Sequence, residues 1–503
     1  MTGIVDIIIG LIFGDEGKGK IVEAVANDYD AAARFNGGPN AGHTIEFQKQ
    51  LIALHTIPSA ITHSNMIAII GNGVVISPYD IQKEMQDLRA AGVVINEHNL
   101  RISDKATIIM PDHQLLDSLE DLIRNVGTTG KGIGPAYRDK TGRDAIRAKD
   151  LLNKDKLSNF YNERKGVLNN QINYLLTMPL SKELEEKRQK VIDEKLIPSG
   201  LFVKDNRYKT GVRWNTDKFI ETYYNIGQEL TGHLEDTVLL VKDMLSKGKN
   251  ILAEGAQAAR LDIDHGTYPC VTSSLCGTAG AITGLGIPHS SIRDVTGVIK
   301  LMESRVGEGD FSTALINYHQ LITMWRNGTL KPVFKKDMTV NEKYDALDHM
   351  KNLRAKINNN TADSFETYQY YANLPPGEYG ASTGRPRAVG WLNLPAIEHA
   401  IYLNGVNKLA LTKLDSYVDV DKFPVCIGFS EGGLKGKPKY TIMNGYTDVR
   451  NARKMEDLPP NAVEFIELIE RETKANVSTI SVGPMHDETI YTKHSRKYIA
   501  PQN

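Results

Sequence analysis

The sequence predicts an α/β fold with a large, mostly parallel central sheet that is flanked by helices. Three observations lead to this prediction. Short runs rich in β-branched residues recur along the chain, helical segments lie between many of them, and glycine-rich turns follow several of the runs. Alternating strands and helices are typical of a parallel sheet covered on both faces, because each parallel pair needs a crossover connection.

The strands are predicted from their composition and the helices from their periodicity. Residues 4–13 are apolar and β-branched and are predicted to form a buried strand, followed by a helix over residues 21–26. A helix is predicted over residues 234–245, because apolar residues recur on one face and Gly248 follows as a stop. Further strands are predicted over residues 67–70, 74–76, 251–253, 295–301, 409–412 and 479–482.

Two stretches, residues 151–209 and 314–373, are more polar than the rest of the chain. We predict that both are insertions of solvated helices on the surface, since residues 183–196 offer only a thin apolar stripe. The sequence contains no repeat of solenoid length and no low-complexity linker. The expectation is therefore a single domain over residues 1–503 that carries these two insertions.

The composition argues against several classes of function. Lys plus Arg total 60 and Asp plus Glu total 61, so the net charge does not indicate a nucleic-acid or membrane partner. No stretch reaches the roughly 18 apolar residues of a membrane span. The three cysteines form no CxxC pair, which argues against a zinc site and suits a reducing compartment. We expect a cytoplasmic protein, because the apolar N-terminal run contains Asp6 and has no basic leader.

A glycine-rich turn, GDEGKGK at residues 14–20, lies between the first predicted strand and the first predicted helix. Its glycines let backbone amides approach a phosphate, and the helix N-terminus adds partial positive charge. Lys18 and Lys20 are placed to reach phosphates, while Asp15 can bind Mg²⁺ or remove a proton. The turn is not a Walker A motif, since no hydroxyl residue follows the lysine. The alternative is a tight turn with solvated charges.

Two further glycine-rich segments are suited to phosphate binding. In RFNGGPNAGHT, residues 34–44, Asn40 and His43 share one short loop, and an imidazole can donate to a developing phosphate charge. In GTTGKGIGP, residues 127–135, glycines and threonines offer amides and hydroxyls to a second phosphate, and Arg143 follows. The alternative in both cases is a purely structural loop.

Three later segments are suited to recognising a base or a carboxylate. Gln257 follows a predicted strand, and its amide can both donate to and accept from a purine edge. Arg385 and Arg387 alternate in GEYGASTGRPRAVGW, residues 377–391, which suits bidentate binding of carboxylates or phosphates. Asp415 in TKLD can accept from guanine donors, although the tetrapeptide alone is weak evidence. An ordinary surface loop is the alternative for the glycine-rich segments.

In this order, GDEGKGK, NAGHT, GTTGKGIGP, LDIDHGTYP and TKLD closely resemble the adenylosuccinate synthetase family. The resemblance runs over residues 7–484, apart from the two polar stretches. It implies a P-loop-NTPase-related fold and the GTP-dependent ligation of L-aspartate to IMP. The implied route passes through 6-phosphoryl-IMP and gives adenylosuccinate, GDP and phosphate. The resemblance also implies Mg²⁺ as the metal and a homodimer as the active unit.

The resemblance also implies a role for individual residues. Asp15 would be the general base, His43 the general acid, and Lys18 and Gln257 the groups that neutralise phosphate charge and hold the base. Asp15 and the backbone carbonyl of Gly42 would bind Mg²⁺. The implied IMP site comprises Asp15, Glu16, Gly17, Lys18, Asn40, Ala41, Gly42, His43, Thr129, Gln257, Thr272, Arg385 and, reaching across the dimer interface, Arg143. The implied aspartate site comprises Ala381, Ser382, Thr383, Gly384, Arg385 and Arg387. The implied GTP site comprises Gly14, Asp15, Glu16, Gly17, Lys18, Gly19, Lys20, Gly42, His43, Thr44, Arg387, Lys413, Leu414, Asp415, Ser481, Val482 and Gly483.

The sequence departs from the family pattern at a few positions, none of which carries an assigned chemical role. They are Pro39, Ala258, Ala259, Pro386, Ala388, Met485 and His486. Two other functions stay open as alternatives. One is a phage-type 2-aminoadenylosuccinate synthetase acting on dGMP, a branch that tends to replace the catalytic aspartate with a small residue; the presence of Asp15 favours IMP. The other is a GTP-binding switch protein, which would leave the second phosphate loop and the arginine loop without a purpose.

Overall fold

The computed structural model describes residues 2–48, 50–124, 128–191, 193, 202–204, 212–305, 307–334, 338–374, 377–379, 384–430 and 433–497. In chain order, the strands of these ranges are β1 (Val5–Gly10), β2 (Ala31–Arg34), β3 (His43–Phe47), β4 (Gln50–Leu54), β5 (Ile67–Ile70), β6 (Val75–Ile76), β7 (Leu100–Ser103), β8 (Thr107–Ile108), β9 (Phe202–Lys204), β10 (Val212–Trp214), β11 (Leu234–Glu235), β12 (Ile251–Glu254), β13 (Ile292–Lys300), β14 (Glu303–Arg305), β15 (Ala388–Gly390), β16 (Lys408–Thr412), β17 (Lys422–Phe429), β18 (Pro438–Asn444), β19 (Asn476–Ser481) and β20 (Thr489–Tyr491). The α-helices are α1 (Lys18–Val25), α2 (Pro78–Ala90), α3 (Pro111–Arg124), α4 (Ile133–Gly142), α5 (Lys154–Thr177), α6 (Lys182–Val191), α7 (Thr216–Leu230), α8 (Thr237–Ser246), α9 (Thr278–Leu285), α10 (Tyr318–Arg326), α11 (Val340–Asn358), α12 (Ser364–Ala372), α13 (Leu394–Asn404) and α14 (Pro460–Thr473).

Ten of the described strands form one central sheet, in the order β11-β7-β5-β2-β12-β1-β13-β16-β19-β20. Neighbouring strands in this sheet are parallel, apart from the antiparallel pair β19 and β20 at one edge. β1 lies between β12 and β13, so the loop that follows β1 leaves from the middle of the sheet. The predicted α/β class with a mostly parallel sheet is confirmed.

Both faces of the sheet are covered, as the apolar composition of β1 requires. Ile7 and Ile9 pack into the large core on one face, while Ile8 packs on the other face with Ile21 and Val22 of α1. Successive residues of a strand point to opposite faces, so a strand without polar positions must be buried on both. Among the described residues, no helix is both long and apolar enough to span a membrane.

The structure corrects several predicted boundaries. β1 ends at Gly10 and not at residue 13, α1 begins at Lys18 and not at residue 21, and the strand predicted over residues 74–76 shrinks to β6, outside the central sheet. The predicted helix over residues 234–245 begins at Thr237, because Asp236 caps it by accepting hydrogen bonds from the amides of Val238 and Leu239. The preceding residues form β11 instead.

β2 was not predicted, because three of its four residues are alanine, a poor strand former. Ala31, Ala32 and Ala33 are fully buried between β5 and β12. Their small side chains suit a central strand that other elements cover closely on both faces. Tertiary packing therefore overrides local propensity at this position.

The two polar stretches form helices, as predicted, but their apolar faces are not solvated. In the first stretch, Leu157, Tyr161 and Ile172 of α5 are buried in a core shared with α7, whereas residues 194–201 and 205–209 lie outside the described ranges. In the second stretch, Tyr368 and Tyr371 of α12 are almost completely buried in the main core. A purely superficial location is therefore wrong for these parts of both stretches.

Helix α9 packs so closely against the backbone of Phe35 that there is no room for a side chain at Gly284. A β carbon added there would lie 2.1 Å from the backbone oxygen of Phe35. We expect Gly284→Ala to lower the free energy of unfolding by about 1–3 kcal/mol, because backbone must move to accept it. In contrast, Gly166 of α5 has nothing within 4 Å of an added β carbon. Gly166→Ala should stabilise the protein by up to about 1 kcal/mol.

Urea denaturation of the two single variants measures both changes. Equal stability of Gly284→Ala and the wild type would contradict the packing described for α9.

Candidate active site

The loop after β1 has an unusual backbone conformation that a buried carboxylate holds in place. Gly14, Asp15 and Gly17 have φ angles of 86°, 54° and 84°. A positive φ angle is ordinary for glycine but rare for a residue with a side chain such as Asp15. The Glu16 carboxylate is buried and accepts a hydrogen bond of 2.8 Å from the amide of Gly14. Its other oxygen lies 2.6 Å from Nζ of Lys18, which is also buried. The loop is thus closed on itself and leads into the N-terminus of α1.

Lys20 of α1 is engaged with a different loop. Its Nζ donates hydrogen bonds to Ser481 Oγ at 2.7 Å, to the carbonyl oxygen of Gly483 and to that of Glu488 at 3.0 Å. Burial lowers the pKa of Lys20 to about 8. Lys20 thus holds the loop after β19 against α1, and its predicted contact with a phosphate stays a prediction.

Asp15 is ion-paired with an arginine of the distant glycine-rich loop. Oδ2 of Asp15 lies 2.5 Å from a terminal guanidinium nitrogen of Arg387, and the other terminal nitrogen lies 3.1 Å from the carboxylate of Glu378. Arg387 Nε is buried without a hydrogen-bond partner among the described residues. The candidate catalytic base therefore has its carboxylate paired with the candidate aspartate- and GTP-binding arginine.

Glu378 binds two lysines in addition to Arg387. Nζ of Lys300 lies 2.7 Å from one oxygen of its carboxylate, and Nζ of Lys413 lies 2.7 Å from the other. Burial alone would raise the pKa of Glu378, but the three cations outweigh this and hold the pKa well below its usual range. Glu378 is therefore an anion at neutral pH.

His43 is buried beside another carboxylate at the end of a central strand. Its Nδ1 is hydrogen-bonded to Glu254, the last residue of β12, and lies 3.3 Å from Oγ of Ser59. Burial lowers the pKa of His43. Burial would raise the pKa of Glu254, but His43 and Arg34 outweigh this effect and lower the pKa to about 2. Because an ionised carboxylate only accepts hydrogen bonds, Nδ1 carries the proton and Nε2 is left for another partner.

Gln257 combines backbone strain with an unsatisfied side chain. Its φ angle is 56°, and both polar atoms of its amide are buried without a hydrogen-bond partner in the described structure. A β carbon on Gly14 would lie 3.8 Å from Cα of Gln257, and one on Gly37 would lie 2.8 Å from its Oε1. The amide thus sits between the loop that carries Asp15 and the loop that carries His43. A buried, unpaired amide costs free energy unless a ligand satisfies it.

The second glycine-rich segment leads into helix α4. Gly130 and Gly132 have φ angles of 63° and 80°, and the amide of Gly132 donates to Asp117 at 2.9 Å. Thr129 is exposed just before this turn, and Gly127 lies outside the described residues. The exposed threonine and the nearby helix N-terminus are features that a phosphate site requires.

Arg143 is the exposed C-cap residue of α4. Its φ angle is 68° and its side chain is exposed. Within the described ranges its guanidinium forms no ion pair, whereas Asp139 is already paired with His113 at 2.9 Å and with Arg164 at 2.5 Å. Among the described residues, Arg143 is thus ion-paired with neither Asp139 nor Asp144.

The TKLD segment ends β16 beside the loop that follows β19. These strands are parallel neighbours, so their carboxyl ends meet at one edge. Lys413 has a φ angle of 59°, Leu414 is buried, and burial raises the pKa of Asp415. Oγ1 of Thr412 donates to the carbonyl oxygen of Glu16 at 2.7 Å. This hydrogen bond connects the TKLD segment to the phosphate loop, the GDEGKGK turn at residues 14–20.

The remaining predicted site residues range from buried to exposed, and three of them lie outside the described residues. Ala381, Ser382 and Thr383 lie outside the described residues, while Gly384 and Arg385 are exposed next to them. Asn40 accepts a hydrogen bond from the amide of Gly38 at 3.2 Å. Ala41, Ser481 and Val482 are buried, Gly19 is buried in α1, Thr272 is half-buried, and Gly42 and Thr44 are exposed.

A magnesium ion would find oxygen donors at this site. Mg²⁺ is commonly bound by one or two carboxylates together with substrate phosphates and water, not by an all-protein cage. The exposed backbone of Gly42, with open space around it, and the carboxylate of Asp15 fit this donor set. Among the described residues, no group of three or more His, Cys, Asp or Glu side chains is arranged to hold a metal.

Known proteins are similar to this chain over nearly its whole length. The model of the adenylosuccinate synthetase family matches residues 7–490. The chain belongs to the adenylosuccinate synthetase family. It is 34% identical over 501 residues to the adenylosuccinate synthetase of Caldicellulosiruptor saccharolyticus, an alignment that covers 96% of this chain and 98% of that protein. It is 36% identical to that of Halothermothrix orenii, with 96% and 97% covered. Family membership makes the chain a ligase of purine nucleotide biosynthesis.

Two solved structures are similar to the whole chain. A fully ligated adenylosuccinate synthetase from Plasmodium falciparum superposes with a TM-score of 0.74 at 28% identity, covering 98% of this chain and 100% of that one. The succinoaminodeoxyadenylate synthetase of cyanophage S-2L, bound to dGMP and dATP, superposes with a TM-score of 0.52 at 17% identity, covering 98% and 96%. The second likeness shows a shared fold only.

Sequence reasoning gave no role to Glu254, Glu378 or Lys300. Glu254 ends a predicted buried strand, where a carboxylate is unexpected unless it is paired, and this signal was available. Glu378 stands in GEYG, close to two arginines, which was a weaker signal. Lys300 ends a buried strand, and nothing local indicates that it pairs with a residue 78 positions later.

The hydrogen bonds of Lys20 generate a test that does not depend on activity. We expect Lys20→Met to raise amide hydrogen exchange in residues 482–488 by about tenfold or more, because hydrogen bonds from a charged donor are worth about 1.5–3 kcal/mol. Lys408→Met is the matched control, since its Nζ pairs with Asp294 at the opposite end of β16. Unchanged exchange in Lys20→Met, or an equal rise in the control, would contradict the role assigned to Lys20.

Proposed function

We propose that the chain ligates L-aspartate to IMP at the expense of GTP, through 6-phosphoryl-IMP, and releases adenylosuccinate, GDP and phosphate. The observation that carries the proposal is the unpaired, buried amide of Gln257, which lies directly beside the loop that bears Asp15. A purine edge with one donor and one acceptor would satisfy that amide. Such a base would lie next to a carboxylate able to take its N1 proton.

The chemistry divides between Asp15, His43 and Lys18. Asp15 removes the N1 proton of IMP, so that O6 can attack the γ-phosphorus of GTP and form a phosphate ester. Because the bond between the γ-phosphorus and the bridging oxygen breaks, negative charge develops on the β-phosphate. When both ring nitrogens are protonated, His43 donates to this phosphate through Nε2, while Glu254, anionic and bonded to Nδ1, stabilises the imidazolium. Lys18 adds positive charge once it exchanges Glu16 for a phosphate.

Aspartate completes the reaction. The amine of L-aspartate attacks C6 of 6-phosphoryl-IMP, the C6–O6 bond breaks, and phosphate leaves with the former O6 oxygen. We assign binding of the aspartate carboxylates to the loop 381–387, in which Arg385 and Arg387 offer planar guanidinium groups. Arg387 must release Asp15 when the substrates bind, since an ion-paired carboxylate is a poor base.

The phosphoryl donor is assigned from the TKLD segment and the loop after β19. The carboxylate of Asp415 accepts from the imino and amino groups of guanine, whereas adenine lacks that pair of donors. A site built for such donors rejects a base without them by several orders of magnitude. Asp15 and the carbonyl of Gly42 would hold Mg²⁺, which when bound neutralises charge on the phosphates.

A dGMP-specific activity is the second candidate, because the cyanophage neighbour is described with dGMP bound. That likeness extends to the fold alone at 17% identity. The presence of Asp15 supports IMP, since the phage-type branch tends to replace this residue. We therefore rank IMP above dGMP.

A coupled assay with purified protein tests the proposal. It offers Mg²⁺ and L-aspartate with either IMP or dGMP, and with either GTP or ATP. We expect turnover with IMP and GTP only. Asp15→Asn should reduce kcat by at least about a thousandfold while thermal stability stays close to the wild-type value, because it removes the general base and keeps the side-chain shape. Turnover with dGMP alone, or near-normal turnover of Asp15→Asn, would refute the assignment.

The active unit is assigned as a homodimer in which Arg143 acts on the IMP site of the partner subunit. The exposed guanidinium without an ion-pair partner among the described residues supports this assignment. A guanidinium stays charged and can bind a phosphate bidentately, and a two-fold axis would exchange two such arginines.

Subunit mixing tests the action of Arg143 in trans. Arg143→Leu and Asp15→Asn chains, each inactive alone, are combined and allowed to exchange subunits. We expect activity to reappear at about a quarter of the wild-type specific activity, since half of the dimers are mixed and each holds one intact site. Proven exchange without recovered activity would mean that Arg143 serves its own subunit or no site.

A further inference from the structure

Three cations from separate parts of the chain meet at the single buried carboxylate of Glu378. Lys300 is the last residue of β13, Lys413 directly follows β16, and Arg387 directly precedes β15. One oxygen of Glu378 lies 2.7 Å from Nζ of Lys300 and 3.1 Å from the guanidinium of Arg387, and the other lies 2.7 Å from Nζ of Lys413. The carboxylate thus joins the arginine loop to the TKLD segment.

We propose that Glu378 is a positioning residue that fixes Arg387 and Lys413 relative to each other, so that the aspartate-binding and guanine-binding groups are held as one unit. The inference rests on the function proposed above. Glu378 itself touches no substrate in this account. It acts through its two partners. Arg387 is assigned to the aspartate and GTP sites, and Lys413 is assigned to the GTP site.

Backbone contacts also connect Glu378 with Arg387. The amide of Arg387 donates to the carbonyl oxygen of Glu378 at 2.9 Å, and Tyr379 forms an antiparallel bridge with Pro386. The hydroxyl of Tyr368 in turn donates to the carbonyl oxygen of Arg387 at 2.9 Å. Side chain and backbone of Glu378 therefore constrain the same residue, Arg387.

The charge balance explains why one carboxylate is needed here. Lys300, Arg387 and Lys413 carry three positive charges, while Glu378 supplies one negative charge and Asp15 pairs with the outer side of Arg387. Without Glu378 the three cations would repel one another across a site from which water is largely excluded. The long side chains of Arg387 and Lys413 would then separate, because neither has another anion among its described ion pairs except Asp15.

The two subsites should therefore respond together to one substitution. In Glu378→Gln, the amide cannot hold three cations, and we expect KM for both GTP and L-aspartate to rise by about tenfold or more, since misplacing a group by ~1 Å can cost about a hundredfold. KM for IMP should stay within about threefold of the wild type, because the residues that read IMP do not touch Glu378. Glu378→Asp should recover part of the loss.

Two further variants separate positioning from stability. Glu303→Gln is the matched control: Glu303 is equally buried and is ion-paired with Arg260 at 3.3 Å, but it contacts neither Arg387 nor Lys413. It should leave all three KM values near those of the wild type. If Glu378→Gln does not fold, the double variant Lys300→Met with Glu378→Gln removes one charge of each sign and should show the same two KM changes.

The outcomes are distinct. A joint rise of KM for GTP and aspartate, spared IMP binding and partial rescue by Glu378→Asp support the inference. Unchanged KM values, a change in only one of the two substrates, or an equal change for IMP would overturn it. A wild-type protein that lacks GTP-dependent ligation would refute the proposed function instead, and this is measured first.

Discussion

The parallel pairing of β1 with β12 on one side and β13 on the other is the constraint on which the rest of the structure depends. Because the carboxyl ends of parallel strands meet at one edge of the sheet, the segments that follow these strands lie close together at that edge. Asp15 follows β1, Gln257 follows β12, and Lys300 ends β13. Next along the sheet, β16 and β19 bring Asp415 and the loop after Ser481 to the same edge.

Buried carboxylates hold the segments at this edge in place. Glu16 closes the phosphate loop on Lys18, Glu254 binds His43 and Ser59, and Glu378 binds three cations. Each is buried, and a buried carboxylate is unfavourable unless hydrogen bonds and opposite charges compensate for lost hydration. The arrangement costs stability compared with an apolar core. It fixes the positions of these cations and of the histidine relative to one another.

Backbone strain occurs at several of the predicted site residues, and also outside them at Gln48, Asn360, Asp419 and Lys474. Asp15, Gln257, Lys413 and Arg143 all have φ angles between 54° and 68°, a region that side chains other than glycine rarely adopt. Strain of this kind persists only where surrounding structure enforces it, and it often marks functional positions. Asp15 and Gln257 are held by neighbouring loops, and Thr412, the residue before Lys413, is bonded to the phosphate loop. Four residues singled out from sequence motifs therefore also stand out by an independent geometric measure.

The fold class, most strands of the sheet and the loops of the candidate site could be predicted from the sequence alone. These features depend on local composition and spacing: β-branched runs bury on both faces, and glycine clusters after strands make turns that accept phosphates. The alanine strand β2 and the buried tyrosines of α12 were not predictable, because their location depends on what packs against them. Which charged side chains pair with one another depends on the tertiary structure. Lys20 finds its partners more than 460 residues away, and Glu378 finds Lys300 across 78 residues. Such pairs cannot be predicted from spacing along the chain, because they form only where strands that are distant in sequence end at the same edge of the sheet.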